Sequence, residues 1–249
     1  EFNQTRSLVY GRINTLKCTK EMLEKDDKVH FVNDEVFTYD GILTNSDYFK
    51  KGEVIIQDLS SSLIPKVLDV SRNMTVLDAC SAPGTKTQEI AMFMQNEGEI
   101  IAQDIYEKRV QLIDHLMLKT GVTIVKTKVQ DSSVLNEEYI NKFDRVLLDA
   151  PCSGLGDLRH KPEIRFHLKP DNIDELTSLQ KKLLEVNGQY VKEGGILVYS
   201  TCTLNKKENE KQIQTFLKNH SEYELIEEKT LFPYIENSDG FYYAKMRRK

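Results

Sequence analysis

No apolar run in this chain approaches the about 20 residues that a helix needs to cross a bilayer, and no signal peptide opens it. Cysteine is scarce. There are four in 249 residues, Cys18, Cys80, Cys152 and Cys202. They are widely spaced with no CxxC pair, so no zinc-ligand or redox motif is indicated, and buried thiols in a reducing cytosol are the default expectation. No excess of positive charge advertises nucleic-acid binding, since the net charge is -5; the distribution of charge matters more than the total. Repeats and low-complexity tracts are missing too. The first residue is not Met, and Glu1-Phe2 reads as a cloning remnant.

What is present suits a soluble globular protein: 39% of residues are hydrophobic and 29% charged. The length fits one large domain with a small appendage. From about residue 71 strand and helix patterns alternate. Strands are expected at 75–79, 99–104, 123–128, 144–150 and 195–201, each short, apolar or β-branched and bounded by turn residues. Helices are expected at 85–95, 106–120, 176–191 and 208–219. In the second of these, Val110, Ile113, Leu116 and Met117 recur at helical spacing. Short connections predict an α/β doubly wound sheet, with strands apolar enough to be buried on both faces. Two last strands, 222–228 and 240–246, have no helix between them and are expected to close the sheet with an antiparallel edge. Residues 1–70 read as a small α+β subdomain: a strand at 12–16, a short helix at 19–25, and a hairpin of 29–32 with 36–39. It is expected to pack on the larger domain, 71–249, through a helix after Gln57-Asp58.

The first strand of the alternating region runs into Asp78-Ala79-Cys80-Ser81-Ala82-Pro83-Gly84-Thr85-Lys86-Thr87. A glycine turn opening a helix lets a ligand approach the backbone and meet free N–H groups. The pattern is neither GxGxxG nor a P-loop, which disfavours phosphate. Asp104, about 20 positions on, suits a ribose hydroxyl pair, and Asp131 an adenine amino group. Each alone reads more simply as a cap. Together they outline an adenosine site without phosphate, which S-adenosylmethionine fits.

Two cysteines end strand-like runs, in Asp149-Ala150-Pro151-Cys152 and Ser200-Thr201-Cys202. A parallel sheet gathers its strand ends along one edge, where ligands bind. Two thiols, several acids and Lys86 are therefore expected to meet there. Cys80, in its tight loop, reads as structural. Arg159, His160, Lys161, Arg165, His167 and Lys169 crowd one segment against only Asp157 and Glu163, and the chain ends Lys245-Met246-Arg247-Arg248-Lys249. Either run alone reads as solvated surface. Phe166 and Tyr106 are candidates for stacking on a base, with a core role as the simpler reading.

These motifs resemble the RsmB/NSUN family of RNA (cytosine-5)-methyltransferases across nearly the whole chain. The resemblance rests on Gly52–Ser61, the loop around Gly84, Asp149-Ala150-Pro151-Cys152-Ser153-Gly154, Tyr199-Ser200-Thr201-Cys202-Thr203 with Glu208-Asn209-Glu210, and Asp239–Lys245, in that order. It implies a Rossmann-like S-adenosylmethionine-dependent fold. It also implies cofactor contacts from Cys80, Ser81, Ala82, Pro83, Gly84, Thr85, Lys86, Asp104, Asp131 and Asp149. Cys202 matches the family's nucleophile, and Cys152 the cysteine that helps release product. Thr85 departs from the usual glycine; a β-branched residue disfavours positive φ, so a right-handed backbone or strain is expected there. A NusB-like helical domain, often found ahead of this region in the rRNA enzymes, is not among these residues.

The chemistry such residues support is covalent. A thiolate adding to carbon 6 of cytosine makes carbon 5 nucleophilic. The Cys202 thiol must ionise, for which Lys86 or a helix start near Asn205 is the candidate aid. Asp149 suits the ring edge, and Arg159, Lys161, Arg165 and Lys169 suit phosphates. Small-subunit rRNA is the first expectation for the substrate and tRNA the alternative, with a cytoplasmic monomer and no metal or membrane partner. Competing readings are methylation of an amine, disfavoured because Asp149-Ala150-Pro151-Cys152 is not an Asn/Asp-Pro-Pro-aromatic loop, and a non-catalytic RNA-binding or assembly factor on the same scaffold.

Overall fold

In the computed structural model residues 8–249 are described; Glu1-Phe2 lie outside them. The first elements are Tyr10–Ile13 (β1), Lys20–Leu23 (α1), Val29–Phe31 (β2), Val36–Tyr39 (β3), Asp47–Lys51 (α2) and Val54–Ile56 (β4). Their strands form an antiparallel sheet in the order β2-β3-β1-β4. Its small core joins Ile13, Leu23, Val29, Phe37, Leu43 and Val54 around Cys18, which is buried as expected. The hairpin is present. The first strand, however, stops at Ile13 rather than continuing to 16. Asn14 sends its side-chain amide to the carbonyls of Gly52 and Thr120, 2.8 and 2.9 Å away. Its own carbonyl accepts from the amides of Lys17 and Cys18, so the chain turns. The short α2 and β4 gave no periodic signal and were missed.

Leu63–Leu68 (α3) leads into the larger sheet. Its elements are Thr75–Asp78 (β5), Thr85–Phe93 (α4), Glu99–Asp104 (β6), Glu107–Thr120 (α5), Val125–Val129 (β7), Phe143–Asp149 (β8), Ile164–His167 (α6), Pro170–Gly188 (α7), Val191–Thr201 (β9), Glu210–Asn219 (α8), Tyr223–Leu231 (β10), Pro233–Glu236 (α9) and Phe241–Arg248 (β11). Strand order is β10-β11-β9-β8-β5-β6-β7. The five strands from β9 to β7 are parallel, while β11 and the edge strand β10 are antiparallel. This is the expected Rossmann-like α/β sheet with an antiparallel C-terminal edge.

Period-two alternation divides the strands between two cores. Leu77, Ile101, Val146 and Leu148 join Leu183, Leu184, Ile213 and Phe216 of α7 and α8. Their neighbours Val76, Ile100, Ala102 and Leu147 join Ile64, Ile90 and Ile113 of α3, α4 and α5 on the other face. Burial on both faces is why these strands read as unbroken apolar runs. No helix among the described residues is long and apolar enough to cross a membrane.

Three boundaries differ from expectation for local reasons. Helix α7 begins six residues earlier, at Pro170, a favoured first helical residue whose missing N–H costs nothing there. Strand β9 begins at Val191, four residues before the expected Gly195, and its pairing with β8 shifts register between Phe143 and Arg145. A single turn, α9, interrupts the last two strands where no helix was expected, with Pro233 opening it.

The two sheets share more than α3. The fully buried Arg12 of β1 donates to Gln57 (2.8 Å) and to Gln88 of α4 (2.5 Å), and lies 3.5 Å from Glu89 of α4. Gln57 also donates to Glu89, at 2.7 Å. Burial pushes the Glu89 carboxyl up to about 7, with Arg12 the main opposing influence. Nothing in the sequence pattern marked this pair, because a lone arginine in a short strand reads as surface. Removing one partner of such a pair strands a charge. Arg12→Ala is expected to cost about 3–5 kcal/mol in urea unfolding. Arg12→Met combined with Glu89→Leu should regain a large part of that loss; a single substitution no worse than a surface change would contradict the ion pair.

Candidate functional site

Strand β5 ends at Asp78, whose carboxylate accepts from Thr87 Oγ1 at 2.7 Å and so fixes the start of α4. Burial pushes this carboxyl up to about 7. The loop between them is stitched to β6: the amide and hydroxyl of Ser81 both donate to the Gln103 carbonyl, at 2.9 and 3.0 Å. Gly84 takes φ +103° and packs so closely that an added Cβ would sit 3.2 Å from Ile113 Cγ2. Thr85 is the first residue of α4, so it keeps a right-handed backbone and the strain considered for it does not arise. Among the described residues no side chain caps this helix start, which leaves a polar cradle bounded by Cys80, Ala82, Pro83 and Lys86.

Asp104 ends β6 as expected but is only 4% exposed. It accepts weakly from the Tyr106 amide (3.3 Å), and Arg109 lies 3.4 Å from its carboxylate while donating to the Ala82 carbonyl at 3.2 Å. Arg109 thus spans the gap between loop and acid, a feature the sequence reading missed. Asp131 is half-buried and accepts from the Ser133 amide at 2.8 Å, the turn-capping role considered for it.

Parallel pairing of β8 with β9 sets Asp149 opposite Ser200. Cys152 and Cys202 lie three and two residues beyond that pair, and their sulfurs are 3.2 Å apart. Asp149 accepts from Lys86 Nζ through one oxygen and from Ser200 Oγ through the other, each at 2.7 Å. The Lys86 ammonium also stands 5.2 Å from the centre of the Phe241 ring. Behind the cysteines lies Glu208, fully buried. It accepts from the Ser153 amide (2.8 Å) and hydroxyl (2.6 Å), from Gln180 (3.1 Å) and from Asn205 (3.1 Å). These bonds tie the loop after β8 to the loop after β9. In a run of Lys-Glu-Asn-Glu its role was invisible to periodicity; only the motif carried a signal.

The two thiols share a proton unequally. The hydrogen bond from Cys152 is the chief influence lowering the Cys202 thiol; Lys86 adds to it, against burial and Asp149. The same hydrogen bond, then burial, raises Cys152 well above its usual range. Cations act on Cys202, so of the two thiols Cys202 is the more readily ionised. The helix start proposed near Asn205 is absent: α8 begins at Glu210, so Lys86 is the aid that remains.

The basic segment is less free than its composition suggests. Arg159 is half-buried and acts on Tyr10 and Asp239. Lys161 pairs with Asp157 at 2.6 Å and lies within electrostatic reach of Cys202. His160 lies 3.4 Å from Asp239, and ligand atoms of Asp58, His160 and Asp239 all fall within 4.8 Å of one another. That junction joins three distant segments. Arg165 and Lys169 are exposed. Phe166 and Tyr106, for which a core role was the simpler reading, are instead 83% and 62% exposed, because each sits at a short turn outside both cores. The C-terminal basic run forms β11, where Lys245 and Arg247 lie 3.7 and 3.8 Å from Asp69 and Glu224. Cys80 packs against the core beneath α7, consistent with a structural role, while remaining partly exposed at the cradle.

Residues 65–247 match the family model for the 16S rRNA methyltransferases RsmB/F. The chain is 36% identical over 264 aligned residues to a probable ribosomal RNA small subunit methyltransferase B of Bacillus subtilis, covering 96% of this chain and 59% of that protein. A Synechocystis relative of the same name is 35% identical over 225 residues, covering 84% and 50%. The chain therefore spans half to three-fifths of the curated relatives it matches. Among solved structures, that of PH0851 superposes with a TM-score of 0.92 at 32% identity, covering 99% of this chain and 61% of the other. A methyltransferase homolog protein from Pyrococcus horikoshii gives 0.88 at 31% identity, covering 100% and 88%.

The charge arrangement predicts a pH profile. Lys86→Met removes the cation and leaves Asp149 unopposed, and both changes raise the Cys202 thiol. Alkylation of Cys202 by iodoacetamide, followed by mass spectrometry, should shift to higher pH by about one unit or more. The wild-type chain run in parallel is the reference, and an unmoved profile would remove Lys86 from the site's electrostatics.

Proposed function

The chain belongs to the 16S rRNA methyltransferase RsmB/F family, and from that premise we propose that it methylates carbon 5 of a cytosine in RNA, with small-subunit rRNA as substrate. The observation that carries this reading is the pair of sulfurs 3.2 Å apart beside the Lys86–Asp149 ion pair. Methylation of an amine does not call for two thiols at the reacting edge. A scaffold that had lost its chemistry would have no need to ease the ionisation of one thiol with the other.

S-Adenosylmethionine suits the cradle: it presents a carboxylate but no phosphate, and the uncapped start of α4 offers N–H groups to an anion. Residues Cys80 to Lys86 would hold its amino-acid end, and Asp104 and Asp131 its nucleoside. When bound it supplies an electrophilic methyl group. Arg109 must turn from Asp104, or share it, for a ribose to reach that acid.

On this reading the Cys202 thiolate bonds to carbon 6 of an unpaired or flipped-out cytosine. Electron density moves toward carbon 5 and nitrogen 3, and Asp149 at the ring edge favours a proton on nitrogen 3 as charge develops there. Carbon 5 so activated would accept the methyl group, the sulfonium–methyl bond breaking as the new carbon–carbon bond forms. A base removes the proton left on carbon 5, the carbon 6–sulfur bond breaks, and Cys202 leaves as the thiolate. Cys152 is the group assigned to that release. Methylation of rRNA would place the chain in the cytoplasm. Residues 1–70 would act as a support for α4 rather than as a reacting part.

Two measurements test the assignment. Cys152→Ala incubated with RNA and cofactor is expected to accumulate a covalent adduct on denaturing gels, and Cys202→Ala none. Equal adduct from both would overturn the roles. Asp104→Ala is expected to weaken S-adenosylmethionine binding about 10- to 100-fold by calorimetry, with the unfolding midpoint close to wild type; an unchanged affinity would take Asp104 out of the cradle.

A further inference from the structure

We propose that Phe166 is a stacking platform for an unpaired nucleobase lying beside the reacting pyrimidine, so that α6 and its flanking cations form an RNA-binding rim. The inference rests on the RNA-methylating reading and adds to it how the strand is held. Phe166 is 83% exposed, more than any other large apolar side chain among the described residues. Leaving such a ring in water forgoes the stabilisation that burial would give. Single exposed apolar groups are ordinary on protein surfaces, so exposure alone decides nothing. Position and company do.

Position comes from the catalytic loop itself. Gly156 donates to the Cys202 carbonyl at 2.9 Å, Asp157 to the Gly154 carbonyl at 2.9 Å and Lys161 to the Asp157 carbonyl at 2.8 Å. This chain of turns carries the backbone from Cys152 to α6. Ile164 then packs back on the loop: a Cβ added at Gly154 would stand 2.9 Å from Ile164 Cδ1. Residues two apart on a helix do not share a face. With Ile164 turned to the loop that follows Cys152, Phe166 points away from that anchor, into solvent, two residues from a contact with the catalytic loop.

Company comes from charge. Arg165 and Lys169 lie on either side of Phe166 in sequence and are exposed. Lys161 is 60% exposed at its side chain, pairs with Asp157, and is close enough to Cys202 to feel its charge. A ring between cations next to a site for a single base is the arrangement with which proteins hold single strands: phosphates lie on the cations and a base on the ring. An apolar protein partner would not call for those flanking cations.

The chain contains no tryptophan, so Phe166→Trp introduces a lone indole as reporter. Its fluorescence is expected to be quenched on titration with a single-stranded RNA of about ten nucleotides, the span of such grooves, carrying one cytosine among purines. Leu118→Trp is the control: Leu118 is 82% exposed near the C-terminal end of α5, at the opposite edge of the sheet, and should be unaffected. Phe166→Ala should weaken binding of the same RNA about tenfold and leave cofactor binding unchanged, and Phe166→Tyr should restore affinity. If the wild-type chain binds the RNA and the Cys152→Ala chain forms the adduct while the indole is unquenched and Phe166→Ala binds normally, the platform is wrong and the methylation reading stands. Quenching and the tenfold loss without any adduct from Cys152→Ala would uphold the platform and sink the cytosine-5 chemistry. No binding of RNA by the wild-type chain would overturn both.

Discussion

The ion pair between Lys86 and Asp149 is the interaction on which the candidate site depends. At 2.7 Å it joins the first turn of α4 to the end of β8, so the cradle and the two-thiol edge are held as one unit. It also settles a conflict of charge. Asp149 acts on Cys202 to keep its proton on, and Lys86 acts to take it off. A carboxylate left unopposed in a partly desolvated pocket would suppress the thiolate beside it. Ser200 fills the other oxygen of Asp149, which leaves the carboxylate little freedom to swing. Two strand ends and a helix start thereby meet with fixed geometry.

The surroundings are built to keep that meeting in place. Both faces of β8 and β9 are covered, so a slip in register would turn apolar side chains out of two cores at once. Glu208 then locks the two loops that follow these strands, accepting from both. On the cradle side, Arg12 and Gln57 of the small sheet grip Gln88 and Glu89 of α4. The small sheet has only a modest core of its own, and its connection to the cradle runs through buried polar groups. Such groups tolerate less displacement than apolar packing, because an unmatched partner is costly.

Much of this was legible in the residues. The strands read correctly because burial on both faces leaves unbroken apolar runs, and the strand 99–104 matched β6 to the residue. Gly84 was legible because only a glycine turn closes so tightly on Ile113. The two cysteines were legible because parallel strands gather their ends. What escaped were contacts made by polar residues over long separations: Arg12 with Glu89, Arg109 across the cradle, Glu208 beneath the thiols. Polar residues carry no periodic mark of burial, so a buried acid and a solvated one look alike in sequence. The same blindness works in reverse for Phe166 and Tyr106, whose apolar rings suggested a core that the topology does not offer them.

The unequal sharing of one proton bears on the order of events in the proposed reaction. While Cys202 is free, its hydrogen bond with Cys152 and the charge it carries when ionised both oppose ionisation of Cys152; these are the first and third influences raising the Cys152 thiol, with burial between them. Once the Cys202 sulfur bonds to carbon 6 it becomes a neutral thioether. Both of those influences then vanish, and only burial and Asp149 still oppose the loss of a proton from Cys152. The second thiol would thus lose its proton to solvent more easily at the stage when a base is needed at carbon 5, and not before, when a second thiolate would compete for the pyrimidine. Taking up the carbon-5 proton would restore the Cys152 thiol as Cys202 leaves as a thiolate, and the starting pair would be set for another turnover. Two sulfurs in contact are therefore more than a nucleophile with a spare. In the proposed reaction their contact would time the second by the covalent state of the first.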